Sequence, residues 1–299
     1  MLGKGRRVRA TALAVTLIAG LVSQLAPARA AGGGDRLTSE TIVVGGVPRS
    51  YLLFVPGSYD SPGSLHEVAV VFHGFSGSDA DMVPFVRPAA SAAGMVVAFP
   101  QGLGSTVTYP TGASFDAGQC CSAAMWARVD DVGLALALLA ALRDRFTPRA
   151  TVVAGFSNGG MLAWRVACEH AAAVDAVIDA SGTEALNAVD CHPDRAITAI
   201  AVHGTSDTYV PFDGGVNTEA VAVGDVNGFR PITGVIDEWG GHDRCGERTE
   251  RRPPGMVVTD WSSCARGASV VLYAVTDMGH RPPSAPWPVD FGNLLVHAV

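Results

Sequence analysis

An apolar run at Ala150–Ala154 passes directly into Gly155-Phe156-Ser157-Asn158-Gly159-Gly160, and Asn158 to His170 then has the spacing of a helix. A strand that becomes a helix over so few residues must turn sharply. Side chains next to Ser157 would obstruct that turn, which accounts for the glycines. The turn lifts the Ser157 hydroxyl above the carboxyl edge of a sheet, at a helix N-terminus.

The same alternation runs along the rest of the 299 residues. Arg49–Val55, Glu67–Phe72, Met95–Phe99, Val174–Ala180, Ile197–Val202 and Val270–Val275 read as strands. Asp79–Ala93, Asp130–Phe146, Pro231–Gly240 and Asp290–Ala298 read as helices. Glu67–Phe72 is almost wholly apolar, the pattern of a strand covered on both faces. Strands alternating with helices predict an α/β fold, a mostly parallel sheet with helices on both sides. Residues 31–40 are Gly-rich and polar and read as a frayed leader. Pro100 to Arg128 reads as a long irregular segment, a kind that is often functional. No repeat and no linker marks off a second domain, so 31–299 is expected to be one catalytic unit.

Composition narrows the chemistry. The only lysine is Lys4, which excludes a P-loop lysine, a pyridoxal Schiff base and a Ser–Lys pair in the body of the chain. No Gly-x-Gly-x-x-Gly follows a strand, and neither His-Glu-x-x-His nor Cys-x-x-Cys occurs, so no cofactor and no metal are expected. Residues 31–299 carry 16 cations against 28 acids, a poor match for nucleic acid or anionic lipid.

Residues 1–30 contrast with that body. Lys4 to Arg9 is basic, Ala10 to Leu25 is mostly apolar, and Ala28-Arg29-Ala30 fits a cleavage site. The expectation is a signal peptide and a secreted, extracellular protein without a stable membrane anchor. Six cysteines then suggest disulfides. Cys245–Cys264, flanking a polar stretch, is the favoured pair. Cys168–Cys191 is a second choice that leaves Cys120 and Cys121 unexplained.

A serine hydroxyl needs a base to take its proton, and the base needs an orienting acid. Ile197–Val202 ends in His203-Gly204-Thr205-Ser206-Asp207, and Val270–Val275 ends in Thr276-Asp277-Met278-Gly279-His280. Asp207 and His280 both follow strand ends in the order Ser, acid, His, with Asp213 the rival acid and His242 and His297 the rival bases. His203 is assigned to the strand end. An oxyanion hole needs two backbone N–H donors. Asn158 supplies one, and Phe75, in His73-Gly74-Phe75-Ser76, is favoured over Gly74 for the other. In Val129-Asp130-Asp131-Val132-Gly133, Asp130 is expected to cap the helix, the alternative being that one of the pair holds the turn at Ser157 or the long loop. Trp126 is a candidate stacking surface, and Trp164 a core residue.

These segments together resemble the secreted esterases of the polyhydroxybutyrate-depolymerase-like and feruloyl-esterase-like group, which are α/β-hydrolases. The resemblance covers nearly all of 41–280. It rests on Val71-Phe72-His73-Gly74, Phe99-Pro100-Gln101-Gly102, Cys120-Cys121, Val129-Asp130-Asp131-Val132-Gly133, Gly155 to Met161, His203 to Asp207, and Gly279-His280. It implies Ser157, Asp207 and His280 as nucleophile, acid and base. A small or oligomeric ester is the expected substrate, since no linker to a polymer-binding module is seen. The chain departs from the group at Trp287, which stands later after His280 than usual, and at Phe75, where some members have cysteine. An acyltransferase of the same fold, or a catalytically silent cell-wall or carbohydrate-binding protein, is the alternative expectation. The sequence sets no oligomeric state.

Overall fold

The computed structural model describes residues 34–60, 66–104, 112–185, 191–217, 228–283 and 287–299, so the expected leader at 1–30 lies outside them. Ten strands form one sheet: β1 (Arg36–Val44), β2 (Val47–Val55), β3 (Glu67–Phe72), β4 (Val96–Pro100), β5 (Ala150–Phe156), β6 (Ala176–Ala180), β7 (Thr198–Gly204), β8 (Glu247–Arg251), β9 (Met256–Ser262) and β10 (Val270–Val275). Their order across the sheet is β1-β2-β4-β3-β5-β6-β7-β10-β9-β8. The six central strands are parallel, and the pair at each side is antiparallel.

Among the described residues, two large cores sandwich the sheet. Val68, Val70 and Phe72 of β3 join one core with α3 (Asp131–Phe146), α4 (Asn158–Glu169) and α5 (Ile232–His242). Ala69 and Val71 of the same strand join the other, with α1 (Val83–Ala93) and α6 (Phe291–Val296). All six residues of β3 are buried, which is why its sequence is apolar without alternation. Asp130 caps α3, its Oδ1 accepting the Gly133 N–H at 2.8 Å. Among the described residues no helix is long and apolar enough to cross a membrane.

Two readings are corrected. Of residues 31–40, read as a frayed leader, 36–40 begin β1, which pairs with β2 along its whole length. The stretch 246–263, read as a polar excursion, forms the β8–β9 hairpin, with β9 antiparallel to β10. The misreading of β1 and that of β8 have one cause. The residues of β8 are all exposed and those of β1 mostly so, with only Ile42 and Val44 of β1 packing against the core, and a strand that buries so little leaves a weak apolar pattern. A further short helix, α2 (Ser122–Ala127), lies inside the segment read as irregular.

Candidate active site

The parallel strands bring the ends of β3, β5, β7 and β10 to one edge of the sheet, where such folds place their sites. Ser157 stands between β5 and α4 with φ 53° and ψ −121°, a backbone conformation that costs a serine on the order of 1–3 kcal/mol. Its N–H donates to the Ala180 carbonyl at 2.8 Å. A Cβ on Gly155 would overlap the Gly159 backbone, and one on Gly159 would overlap the carbonyls of Phe72 and His73. The helix can therefore start this close to the strand only with glycine at both positions.

Three of the expected residues meet here. His280 Nε2 lies 3.0 Å from Ser157 Oγ, and His280 Nδ1 lies 2.7 Å from Asp207 Oδ2. Asp207 is buried, and its Oδ1 accepts the N–H groups of Tyr209 and Val210, each at 2.9 Å. That leaves Oδ2 for the imidazole. With Asp207 accepting, Nδ1 carries the ring proton and Nε2 accepts from the Ser157 hydroxyl. The rings of Phe156 and Tyr209 both pack near the His280 ring, with centroids 5.1 and 5.4 Å away. Such a chain can pass the serine proton to the imidazole.

The rivals stand elsewhere. Asp213 is exposed. His297 lines a separate cavity beside Arg195 and Ala298, and His242 ends α5. His203 is buried in β7, its Nε2 donating to the Val210 carbonyl at 2.8 Å and standing 3.5 Å from Asp207 Oδ2. Burial pushes its imidazole below the ordinary value, and Asp207 offsets part of that.

The loop after β3 borders Ser157. A Cβ on Gly74 would come 2.8 Å from the Phe156 ring and 3.4 Å from the Ser157 Cβ. His73 braces this loop, its Nδ1 donating to the Gly74 carbonyl at 2.7 Å and its Nε2 accepting the Gly102 N–H at 2.9 Å. Burial holds the His73 ring below its usual pKa, in keeping with a neutral ring that donates at one nitrogen and accepts at the other. Gly74, Phe75, Met82, Phe85, Phe156 and Pro282 line a cavity of about 450 Å³ with mostly apolar walls.

The segment at 112–121 is held from two sides. The Asn158 side chain pairs with the Phe115 backbone, and the Asp116 N–H donates to Asp131 Oδ2 at 2.7 Å. Asp131 Oδ1 in turn meets Arg49 at 2.7 Å in a buried ion pair. Of the two aspartates in the Val129–Gly133 motif, Asp130 therefore caps the helix and Asp131 anchors the loop. Trp126 is 36% exposed and lines a second cavity, of about 650 Å³, with Asp116 and Arg165, whereas Trp164 is fully buried.

Three disulfides are formed: Cys120–Cys121, Cys168–Cys191 and Cys245–Cys264. They include both expected pairs and join the two unexplained cysteines to each other. Cys168, Glu184 and Cys191 cluster as metal ligands do, but the two sulfurs are bonded to each other.

Local motifs carried no sign of the Asn158–Phe115 pairing or of the Tyr209 ring over His280. Both depend on residues brought together by the fold.

A family model described as the Dienelactone hydrolase family matches residues 57–223. Feruloyl esterase C of Emericella nidulans is 27% identical over 286 residues, covering 91% of each chain. Feruloyl esterase B of Piromyces equi is 26% identical over 203 residues, which are 66% of this chain and 36% of that protein. The chain thus spans about a third of the length of that relative. The acetyl xylan esterase from Aspergillus awamori superposes with a TM-score of 0.56 at 13% identity, covering 85% of this chain and 96% of its own. That likeness places the chain among α/β-hydrolase folds.

Proposed function

Because the chain belongs to the dienelactone hydrolase family, we propose that it is a serine esterase that cleaves carboxylic esters through an acyl-enzyme on Ser157. The observation that carries this reading is the continuous hydrogen-bonded chain Ser157–His280–Asp207, at 3.0 and 2.7 Å, at the carboxyl edge of a parallel sheet. His280 Nε2 takes the hydroxyl proton as Ser157 Oγ attacks the ester carbonyl. Asp207 holds the imidazole in the tautomer that can accept it. The N–H groups of Phe75 and Asn158 stabilise the oxyanion. His280 then protonates the departing alcohol, and water attacks the acyl-enzyme by the same route in reverse.

The apolar cavity beside Ser157 favours an ester with an aromatic or short aliphatic acyl group, and its volume of about 450 Å³ suits one such group. Feruloyl and acetyl esters of plant polysaccharide fit this description, as do hydroxyalkanoate oligomers. The names of the relatives favour the first of these. The reading includes a cleaved leader at 1–30, one catalytic unit over 31–299 and an extracellular site of action. A panel of acetyl, feruloyl and hydroxybutyrate esters tests it, with the Ser157→Ala variant as control. Hydrolysis of a feruloyl or acetyl ester that the variant lacks is the expected result. No hydrolysis of any ester by the wild type would overturn it.

A further inference from the structure

Beside the elbow, the sharp turn at 155–160 that carries Ser157, β6 carries a group that the proton chain does not use. Asp179 has no solvent exposure. Its Oδ2 accepts the Trp164 Nε1–H at 3.1 Å and its Oδ1 accepts the Gly182 N–H at 2.9 Å. Both donors are neutral, so nothing in this clasp balances a negative charge.

The space around Oδ1 has been cleared. A Cβ on Gly160 would overlap Oδ1, and so would one on Gly182. The Gly-x-Ser-x-Gly pattern calls for Gly155 and Gly159 but gives no reason for Gly160. The Asp179 carboxyl supplies one.

The segment that follows reaches Ser157 twice. Ala180 accepts the Ser157 N–H at 2.8 Å, and a Cβ on Gly182 would stand 2.8 Å from the Ser157 carbonyl oxygen. Between them Ser181 has φ 53°, and its N–H donates to Val202 at 2.8 Å. This is a tight turn, and the Asp179–Gly182 hydrogen bond closes it.

We propose that Asp179 is a positioning residue for Ser157: its carboxyl, clasped by Trp164 and Gly182, locks the 180–182 turn against the elbow. The turn in turn fixes the Ser157 hydroxyl at hydrogen-bonding distance from His280. The inference rests on Ser157 being the nucleophile. Asp179 touches neither substrate nor reacting atoms and acts through Ala180 and Gly182.

The electrostatics agree. Burial pushes the Asp179 carboxyl up to about 8, and the Asp207 charge adds to the rise. Asp207 is the charged group facing it from the β7 side, with His203 and His280 standing against Asp207. From α4 it meets Trp164 and Gly160, and from its own turn Gly182. Asp179 is therefore a neutral acid at pH 7. Its ionisation near pH 8 puts a second negative charge beside Asp207, in a buried site where the two N–H donors favour the anion but no cation balances it.

The test is the Asp179→Asn variant, which keeps the volume but turns an NH2 group toward one of the two N–H donors. Expected is a fall of about 10- to 100-fold in kcat on p-nitrophenyl acetate with KM within about twofold. Phosphonate labelling of Ser157 slows in proportion. Adding Trp164→Phe removes one opposing donor and recovers several-fold of the lost kcat. The wild-type rate declines above about pH 8, and the Asp179→Asn variant lacks that decline. A variant that keeps kcat and labelling rate within about twofold of wild type overturns the proposal. Should Asp179→Asn fail to fold, Trp164→Phe alone decides. It removes a donor that favours the anion, so the alkaline decline must move to higher pH, and an unmoved decline overturns the proposal. A wild-type protein that neither hydrolyses esters nor takes the label overturns the esterase reading instead.

Discussion

The Asn158 side chain grips the Phe115 backbone in both directions, its Oδ1 accepting the Phe115 N–H at 2.8 Å and its Nδ2 donating to the Phe115 carbonyl at 2.9 Å. The residue after the proposed nucleophile thus ties the elbow to the segment at 112–121. Asn158→Ala keeps the backbone N–H at 158 but takes the partner from the buried Phe115 N–H and leaves the Phe115 carbonyl only the Cys121 N–H at 3.3 Å. Expected are a loss of about 1–3 kcal/mol in urea unfolding and a kcat lowered about tenfold on p-nitrophenyl acetate. Wild-type values for both would show that the grip has no role.

Replacing the serine is the most direct test of the nucleophile. Ser157→Ala should lower kcat by at least about 10³-fold, because the acyl-enzyme cannot form. The unfolding midpoint should stay close to wild type, since only one hydroxyl is removed. Peptide mapping after phosphonate treatment should place the adduct on Ser157 in the wild type.

Asp207 and Asp213 separate by position. Asp207→Asn should lower kcat by up to about 10⁴-fold at neutral pH, since the amide can donate to Nδ1 and hold the wrong tautomer. Asp213 is exposed, and Asp213→Asn should leave kcat within about twofold. A reversed pattern would assign the acid to Asp213.

Asp243 makes stability depend on pH. It is buried after α5, neither carboxylate oxygen has a hydrogen-bond partner among the described residues, and burial pushes its carboxyl up to about 7 against a weaker pull from the Ile197 N–H. The folded state keeps this proton up to about pH 7, whereas the unfolded chain releases it near pH 4. The stabilisation is therefore complete below about pH 4 and is lost as pH rises through 7. The Tm of Asp243→Asn relative to wild type should rise steadily between pH 4 and 8. A difference that does not change with pH would remove Asp243 from the account.

The Cys245–Cys264 bridge joins the end of α5 to the end of β9 across 19 positions of sequence. Removing it with Cys245→Ala and Cys264→Ala should cost about 3 kcal/mol, the chain-entropy estimate for a loop of this size. Mass spectrometry without reduction should find no alkylatable thiol in the wild type.

The parts of this molecule that the sequence announces are those that bury two faces. β3 through β7 and β10 leave apolar runs because helices cover both sides of them. Ser157, Asp207 and His280 follow such strands on glycine-containing turns, so their placement is a local signal. β1 and β8 lie at the two margins with mostly exposed side chains, and their pairing depends on neighbours rather than on pattern. Asp179 is hidden for another reason. It sits in a buried strand where an aspartate looks misplaced until Trp164, 15 positions earlier, supplies a donor.

The margin formed by β8 bears on how the protein behaves in crowded solution. An outermost strand offers unpaired N–H and C=O groups to any extended chain that approaches. Here that strand reads Glu247-Arg248-Thr249-Glu250-Arg251, every residue exposed, and Arg251 is pinned to Asp260 on β9 at 2.8 Å. A second molecule seeking to extend the sheet would have to strip water from alternating charges and gain no apolar contact in exchange. The polar composition that hid this strand from pattern reading thus also guards it against intermolecular sheet growth.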